Sequence, residues 1–286
     1  MIPGIDRLLH RLVRNPVSAE ARAVVTGAGS GIGRAFALEL ARRGGEVICA
    51  DIDETRAKET VALIAAQTGR TAHPVACDVA DRAQVEALAA LTRTVFDGPP
   101  TLVINNAGVG IGGRPVGEIG LEDWGWALGI NLWGVVHGCE LFAPMLREAG
   151  RGGIINVASA AGFAAAPSMG PYNVSKAGVM SLSETLAAEL AGSGIAVTVL
   201  CPTFVKTNVA KDGRITEGSQ NLAGKLMALT GFSPDQVAAS TLDANDLGRL
   251  YVLPQLDANV IWHLKRHFPV PYARGLGLIN RLLPAS

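Results

Sequence analysis

The 286-residue chain has no excess of charge of either sign, with 25 Lys+Arg against 25 Asp+Glu, so no global positive field argues for a nucleic-acid partner. It has no apolar run approaching the ~18 residues of a membrane span. Its N-terminus lacks the continuous apolar core of a signal peptide. An intracellular, cytoplasmic protein is the expectation. Cysteine is scarce: Cys49, Cys77, Cys139 and Cys201 form no CxxC pair, which argues against a metal centre or a disulfide framework and for buried free thiols. Asn173-Val174-Ser175 has the form of a glycosylation acceptor, a chance match in such a compartment. There is no long linker, low-complexity tract or repeat beyond a strand–helix unit.

What is present is an ordinary globular composition, 49% apolar and 17% charged, at a length that a single α/β domain accommodates. Apolar strand-like runs at about 22–26, 46–50, 71–76, 101–105, 153–158 and 195–201 alternate with helical patterns at about 31–43, 54–67, 81–95, 121–148, 172–192 and 234–248. Strict alternation predicts a doubly wound parallel sheet with helices on both faces. Runs such as Ile154-Ile155-Asn156-Val157 are apolar without alternation, as strands buried on both faces should be. Ligand groups should then gather at the C-terminal ends of the strands. The expected organisation is an amphipathic segment over 1–20, a catalytic domain over 21–255 and an extension over 256–286.

Thr26-Gly27-Ala28-Gly29-Ser30-Gly31-Ile32-Gly33 joins the first strand to the first helix. Glycines allow a tight turn and close approach of main chain to a pyrophosphate, and the N–H groups opening the helix face its oxygens. No Lys-Ser/Thr pair follows, so this is not a Walker loop. The setting is a Rossmann-type sheet. Asp51 ends the second strand about 18 residues beyond the turn, placed to accept hydrogen bonds from an adenosine ribose and to repel the 2′-phosphate of NADP. NAD is favoured over NADP on that ground, although Asp51 as a helix N-cap is the plainer reading. Asp78, in Cys77-Asp78-Val79, suits the adenine amino group, with a cap or loop role as the alternative. The fourth strand runs into Asn105-Asn106-Ala107-Gly108, where small residues permit close approach and amides reach loop backbone or ligand.

Tyr172 and Lys176 stand one helical turn apart on one face. A phenol with an ordinary pKa near ~10 is a poor base at neutral pH, and a neighbouring ammonium favours its phenolate. Ser159 ends the fifth strand, where its hydroxyl would hold a substrate oxygen. Taken singly these residues occur widely as surface or capping groups.

Together, over about residues 20–250, these motifs resemble the short-chain dehydrogenase/reductase family: TGxxxGxG at Thr26–Gly33, NNAG at Asn105–Gly108, a helix asparagine at Asn131, Ser159, and YxxxK at Tyr172 and Lys176. The resemblance implies hydride transfer between nicotinamide C4 and a secondary alcohol or carbonyl carbon. Tyr172 would move the hydroxyl proton and Ser159 would orient the oxygen. Lys176 would lower the tyrosine pKa and hold the nicotinamide ribose, and Asn131 would keep a water-linked relay to Lys176. It further implies cofactor contacts at Gly27, Ser30, Gly31, Ile32, Gly33, Asp51, Asp78, Val79, Asn105, Ala107, Gly108, Tyr172, Lys176, Pro202, Val205 and Thr207, and a homo-oligomer. Two features depart from the pattern. Pro202-Thr203 replaces the frequent Pro-Gly, and the common closing strand with its glycine pair, near the usual tetramer contacts, is absent, leaving Tyr251-Val252-Leu253-Pro254 as the candidate for a last short strand.

Substrate-facing segments are expected at 110–114, 163–171 and 203–232, rich in Phe163, Met169, Phe204, Leu222, Leu226, Met227 and Leu229. Arg114, Lys206 and Lys211 form no dense cationic cluster, so a hydrophobic alcohol or ketone fits best. Alternatives are an NADP-dependent keto-acyl or carbonyl reductase and a non-catalytic dinucleotide-sensing regulator, against which retention of all four reactive residues argues. Both termini are basic and amphipathic. Packing on the domain or a second subunit is the plain reading, and contact with an anionic membrane surface the other.

Overall fold

The computed structural model describes residues 10, 13, 15–207, 213–221, 224 and 231–282. Most of the N-terminal amphipathic segment (Ile5, Leu8, Leu9, Leu12 and its arginines) lies outside these residues, as do Lys211, Leu222, Leu226, Met227 and Leu229 of the substrate loop. In chain order the main elements are β1 (Arg22–Thr26), α1 (Gly31–Arg42), β2 (Glu46–Asp51), α2 (Glu54–Thr68), β3 (Ala72–Ala76), α3 (Arg82–Val95) and β4 (Leu102–Asn105). There follow β5 (Ile111–Gly112), α4 (Leu121–Leu128), a π-helical turn (Gly129–Trp133), α5 (Gly134–Ala149), β6 (Gly152–Val157), α6 (Ala161–Ala164) and α7 (Gly170–Glu189). The chain continues through β7 (Ile195–Leu200), β8 (Arg214–Ile215), α8 (Pro234–Asp246), β9 (Tyr251–Val252), α9 (Leu256–His267) and α10 (Pro269–Leu282).

Seven strands form one parallel sheet in the order β3-β2-β1-β4-β6-β7-β9. The order reverses between β1 and β4, and the divergent loops there open a crevice at the carboxyl ends of the strands. Two apolar layers sandwich the sheet. One is built on Phe142, Leu146, Ile154 and Val179 under α3, α5 and α7, the other on Phe36, Leu40, Ile64, Ile104 and Leu242 under α1, α2 and α8. Alternate residues of β1 and β4 enter opposite layers (Val24 and Val103 one, Val25 and Ile104 the other), which is why these strands are apolar without alternation. All four cysteines are buried free thiols. Among the described residues no helix is long and apolar enough to cross a membrane.

The sequence pattern over 121–148 predicts one helix, but a π turn interrupts it at Gly129–Trp133. The turn stays hydrogen-bonded, the Gly134 N–H bonding the Gly129 carbonyl, so apolar periodicity alone does not reveal it. The extension also divides. α9 buries Ala258 and sets Trp262 edge-on to Phe163, ring centroids 5.1 Å apart, and against Tyr251 at 5.0 Å. α10 buries no residue at all.

Candidate active site

A cleft of about 530 Å³ opens at the strand ends. Its floor at one end is the turn after β1. Ser30, the N-cap of α1, is extended and makes no side-chain cap bond, whereas Asp53 caps α2 and Asp81 caps α3 through their carboxylates. The first amides of α1 therefore lack the partner that the neighbouring helices carry, the condition under which a helix start receives an anion. Gly27 sits at φ +64°, and a Cβ there would lie 2.9 Å from the Ala107 Cα. A Cβ on Gly33 would collide with the Gly27 carbonyl oxygen.

Hydrogen bonds stitch this turn to the one after β4. Thr26 Oγ1 accepts the N–H groups of Asn106 (3.0 Å) and Ala107 (3.1 Å), while Asn106 Nδ2 donates to the carbonyls of Thr26 (2.8 Å) and Gly27 (3.2 Å). Asp51 accepts from the Gly29 N–H at 2.8 Å and the Asp53 N–H at 3.0 Å. A carboxylate has about four acceptor sites, so Asp51 keeps capacity for a ligand hydroxyl. Asp78 is likewise on the cleft wall, with one oxygen accepting the Ala80 N–H.

At the other end β6 and α7 supply the reactive groups. Ser159 is 8% exposed. Its hydroxyl accepts the Ala161 N–H at 3.2 Å and lies 3.3 Å from the Pro202 carbonyl, to which it donates. Lys176 is 3% exposed and donates from Nζ to the Val157 carbonyl at 3.0 Å, with Nζ 5.7 Å from the Tyr172 ring centre. Burial pushes the Lys176 pKa down to about 8, opposed by Cys201. The Tyr172 pKa is raised by burial, with a hydrogen bond to Ser159 pulling the other way. In this desolvated corner the cost of an anionic phenolate outweighs that bond.

The cleft wall includes Gly27, Ser30, Gly31, Ile32, Asp51, Asp78, Val79, Ala107, Gly108, Ser159, Tyr172, Lys176, Pro202, Val205 and Thr207. Three expected residues are not on it. Gly33 is packed behind the turn. Asn105 is 2% exposed and donates to Asn156 Oδ1 at 2.9 Å, inside the core. Asn131, within the π turn, accepts the Val109 N–H at 2.8 Å and donates to the Val109 carbonyl at 2.9 Å. Each half of its amide makes one bond, so its side chain clamps the loop after Gly108 and keeps one N–H and one lone pair.

The wall also holds Asn106 and Thr203, named in the motifs without an assigned contact, and residues that motif reading did not single out: Ile52, Asp53, Arg56, Cys77, Val109, Trp126, Ile130, Val157 and Ala158. Arg56 is the notable one, one turn into α2 with Nε 3.3 Å from Asp53 Oδ2. Its signal in sequence is only its place in the first turn after Asp51. The Pro202-Thr203 departure has a structural use. The Thr203 hydroxyl donates to Asp257 at 3.0 Å, its N–H donates to Gln255 Oε1 at 3.2 Å, and Gln255 Nε2 reaches the Phe204 carbonyl at 2.9 Å. The cleft edge is thus tied to the start of α9.

A family model described as short chain dehydrogenase matches residues 21–218. Among curated proteins, "Probable oxidoreductase EphD" of Mycobacterium tuberculosis is 40% identical over 230 residues, covering 77% of this chain but 38% of that protein. The chain therefore spans under half the length of that relative. "D-threitol dehydrogenase" of Mycolicibacterium smegmatis is 38% identical, covering 77% of this chain and 84% of its own. A short chain dehydrogenase/reductase from Burkholderia phymatum, solved in complex with NAD, superposes with a TM-score of 0.81 at 36% identity, over 86% of this chain and 92% of that one.

Proposed function

The chain belongs to the short-chain dehydrogenase family, and from that premise we propose that it is an oxidoreductase moving a hydride between NAD and a hydrophobic secondary alcohol or ketone. The observation that carries this reading is that one cleft joins the uncapped start of α1 and Asp51 to Ser159, Tyr172 and Lys176.

The residues fit a dinucleotide. Gly27 and Gly31 clear the space a side chain would fill, the free amides of α1 suit a pyrophosphate, and Asp51 suits a ribose diol. When bound, the nicotinamide accepts or supplies the hydride. In the oxidative direction the Tyr172 phenolate takes the substrate hydroxyl proton as the hydride leaves carbon; in the reductive direction the phenol returns it. Ser159 holds the same oxygen through its hydroxyl. Lys176, fixed on the Val157 carbonyl, keeps a cation beneath the phenol and stabilises the phenolate once it forms. Asn131 is a positioning residue that holds the Val109 loop beside both.

Asp51 and Asp53 outnumber Arg56 at the adenosine end, which favours a ribose diol over a 2′-phosphate. Arg56 supports the second reading, an NADP-dependent reductase. Steady-state turnover of a panel of hydrophobic secondary alcohols with each cofactor, followed by absorbance of the reduced nicotinamide, separates the two. A higher kcat/KM with NAD is expected, and a preference for NADP would reassign Arg56 as the phosphate ligand.

A further inference from the structure

The extension carries a surface that the reaction does not use. On α9, Leu256, Val260, Leu264 and then Phe268 recur every four residues, forming one row that is between 47% and 73% exposed. That row lies away from Ala258, Ile261 and Trp262, which face the domain. On α10, Tyr272 and Leu276 are its half-buried residues, so helical periodicity sets Val270, Arg274, Leu278, Arg281 and Leu282 on the side turned outward. Leucines and arginines are interleaved there. After Asp257 the chain contains no acidic residue, while Lys265, Arg266, Arg274 and Arg281 are all cationic. Lys265, Arg274 and Arg281 make no ion pair with another described residue.

We propose that the α9–α10 face docks on an anionic lipid surface. An apolar row flanked by long cationic side chains buries its leucines among acyl chains while the charged ends remain at the headgroups. A second copy of this chain is a poorer occupant, because a two-fold contact would set this acid-free face against itself, cation on cation. The inner side of the same hairpin touches the substrate corner: Trp262 packs on Phe163, and the Tyr272 hydroxyl donates to the Ala164 carbonyl at 3.0 Å, close to Ser159 in sequence. Docking would bring that corner toward the lipid, which matters only if the proposed hydrophobic substrate is right.

The test therefore reads binding, not activity. The full chain is sedimented with vesicles of phosphatidylcholine alone and of phosphatidylcholine with phosphatidylglycerol, at low and high salt. Binding to the anionic vesicles, weakened by salt, is expected. Arg274→Glu together with Arg281→Glu, both exposed on a helix with nothing buried, should lower the partition at least about 25-fold, roughly fivefold per cation, with an unchanged melting temperature. No binding by the parent at low salt would overturn the proposal, as would binding that survives the double substitution. A concentration-dependent dimer abolished by Leu278→Asp, without vesicle binding, would assign the face to a second copy instead.

Discussion

At the Gly27–Gly33 end of the cleft the wall is main chain, held by hydrogen bonds to the Thr26 hydroxyl, the Asp51 carboxylate and the Asn106 amide; at the Ser159–Lys176 end it is side chain, desolvated and anchored by bonds to carbonyls. The first end can accept a ligand by shape, because glycine leaves room and unpaired N–H groups supply direction. The second must position protons, so it depends on hydroxyl, phenol and ammonium identity. Substitutions should therefore divide cleanly: those at the main-chain end alter affinity, and those at the side-chain end alter turnover.

Tyr172→Phe is the strongest way to break this division. The ring keeps its packing and loses its transferable proton, so kcat should fall about 10²–10⁴-fold while the NAD dissociation constant, measured by calorimetry, stays within about twofold. Parallel loss of binding would show that the two ends are not separable. The pH profile sharpens the same point. With the Tyr172 pKa raised, alcohol oxidation, which needs phenolate, should keep climbing through the alkaline range in steady-state assays, while ketone reduction, which needs the phenol, should not.

Lys176 gives the next effect. Its folded pKa of about 8 lies below the ordinary 10.5, so the unfolded chain binds more protons between those values and stability rises with pH across that window. Below pH 8 both states are charged and the buried ammonium is a standing cost. The stability of Lys176→Met minus that of the parent, from denaturant titrations without cofactor, should therefore be greater at pH 8 than at pH 10.5 by about 3 kcal/mol. A difference independent of pH would mean that Lys176 is not desolvated. At the other end, Gly33→Ala drives a methyl group toward the Gly27 carbonyl, and overpacking of this kind costs about 1–3 kcal/mol. Its signature should be NAD binding weakened by roughly 10–100-fold with kcat at saturation little changed. The smallest effect is Asp51→Ala, for which the NAD:NADP ratio of kcat/KM should narrow about tenfold, one charge-assisted hydrogen bond being worth about 1.5–3 kcal/mol.

The alternation of apolar runs was enough to read the parallel sheet, because strands buried on both faces and amphipathic helices leave different periodicities. The strand β9 at Tyr251–Val252 pairs with β7 at the place where the sequence offers a last short strand, two residues being too few for periodicity to identify. Which site residues face the cleft was harder to read. Asn105 and Asn131 belong to cleft-forming segments, yet Asn105 Nδ2 is turned into the core toward Asn156 and the Asn131 amide grips Val109, a matter of side-chain direction that motif spacing does not encode. Arg56 and Trp126 line the cleft from helices without any motif. Sequence supplies the lysine beside Tyr172 but not the burial that raises the phenol's pKa.

The π turn at Gly129–Trp133 has a genetic consequence. Such a turn is an α-helix with one residue inserted, so a single in-frame codon deletion within it could restore continuous α-helical bonding. Because the wide turn absorbs its extra residue, that lesion would leave α5 facing the core with Phe142 and Leu146 in place. Within the turn, however, the residues would shift against the cleft, and the Asn131 clamp would lose its register with Val109. A gene copy carrying it would lose function without losing any residue of the Ser159, Tyr172 and Lys176 set, and a compensating codon insertion elsewhere in the same turn would restore it.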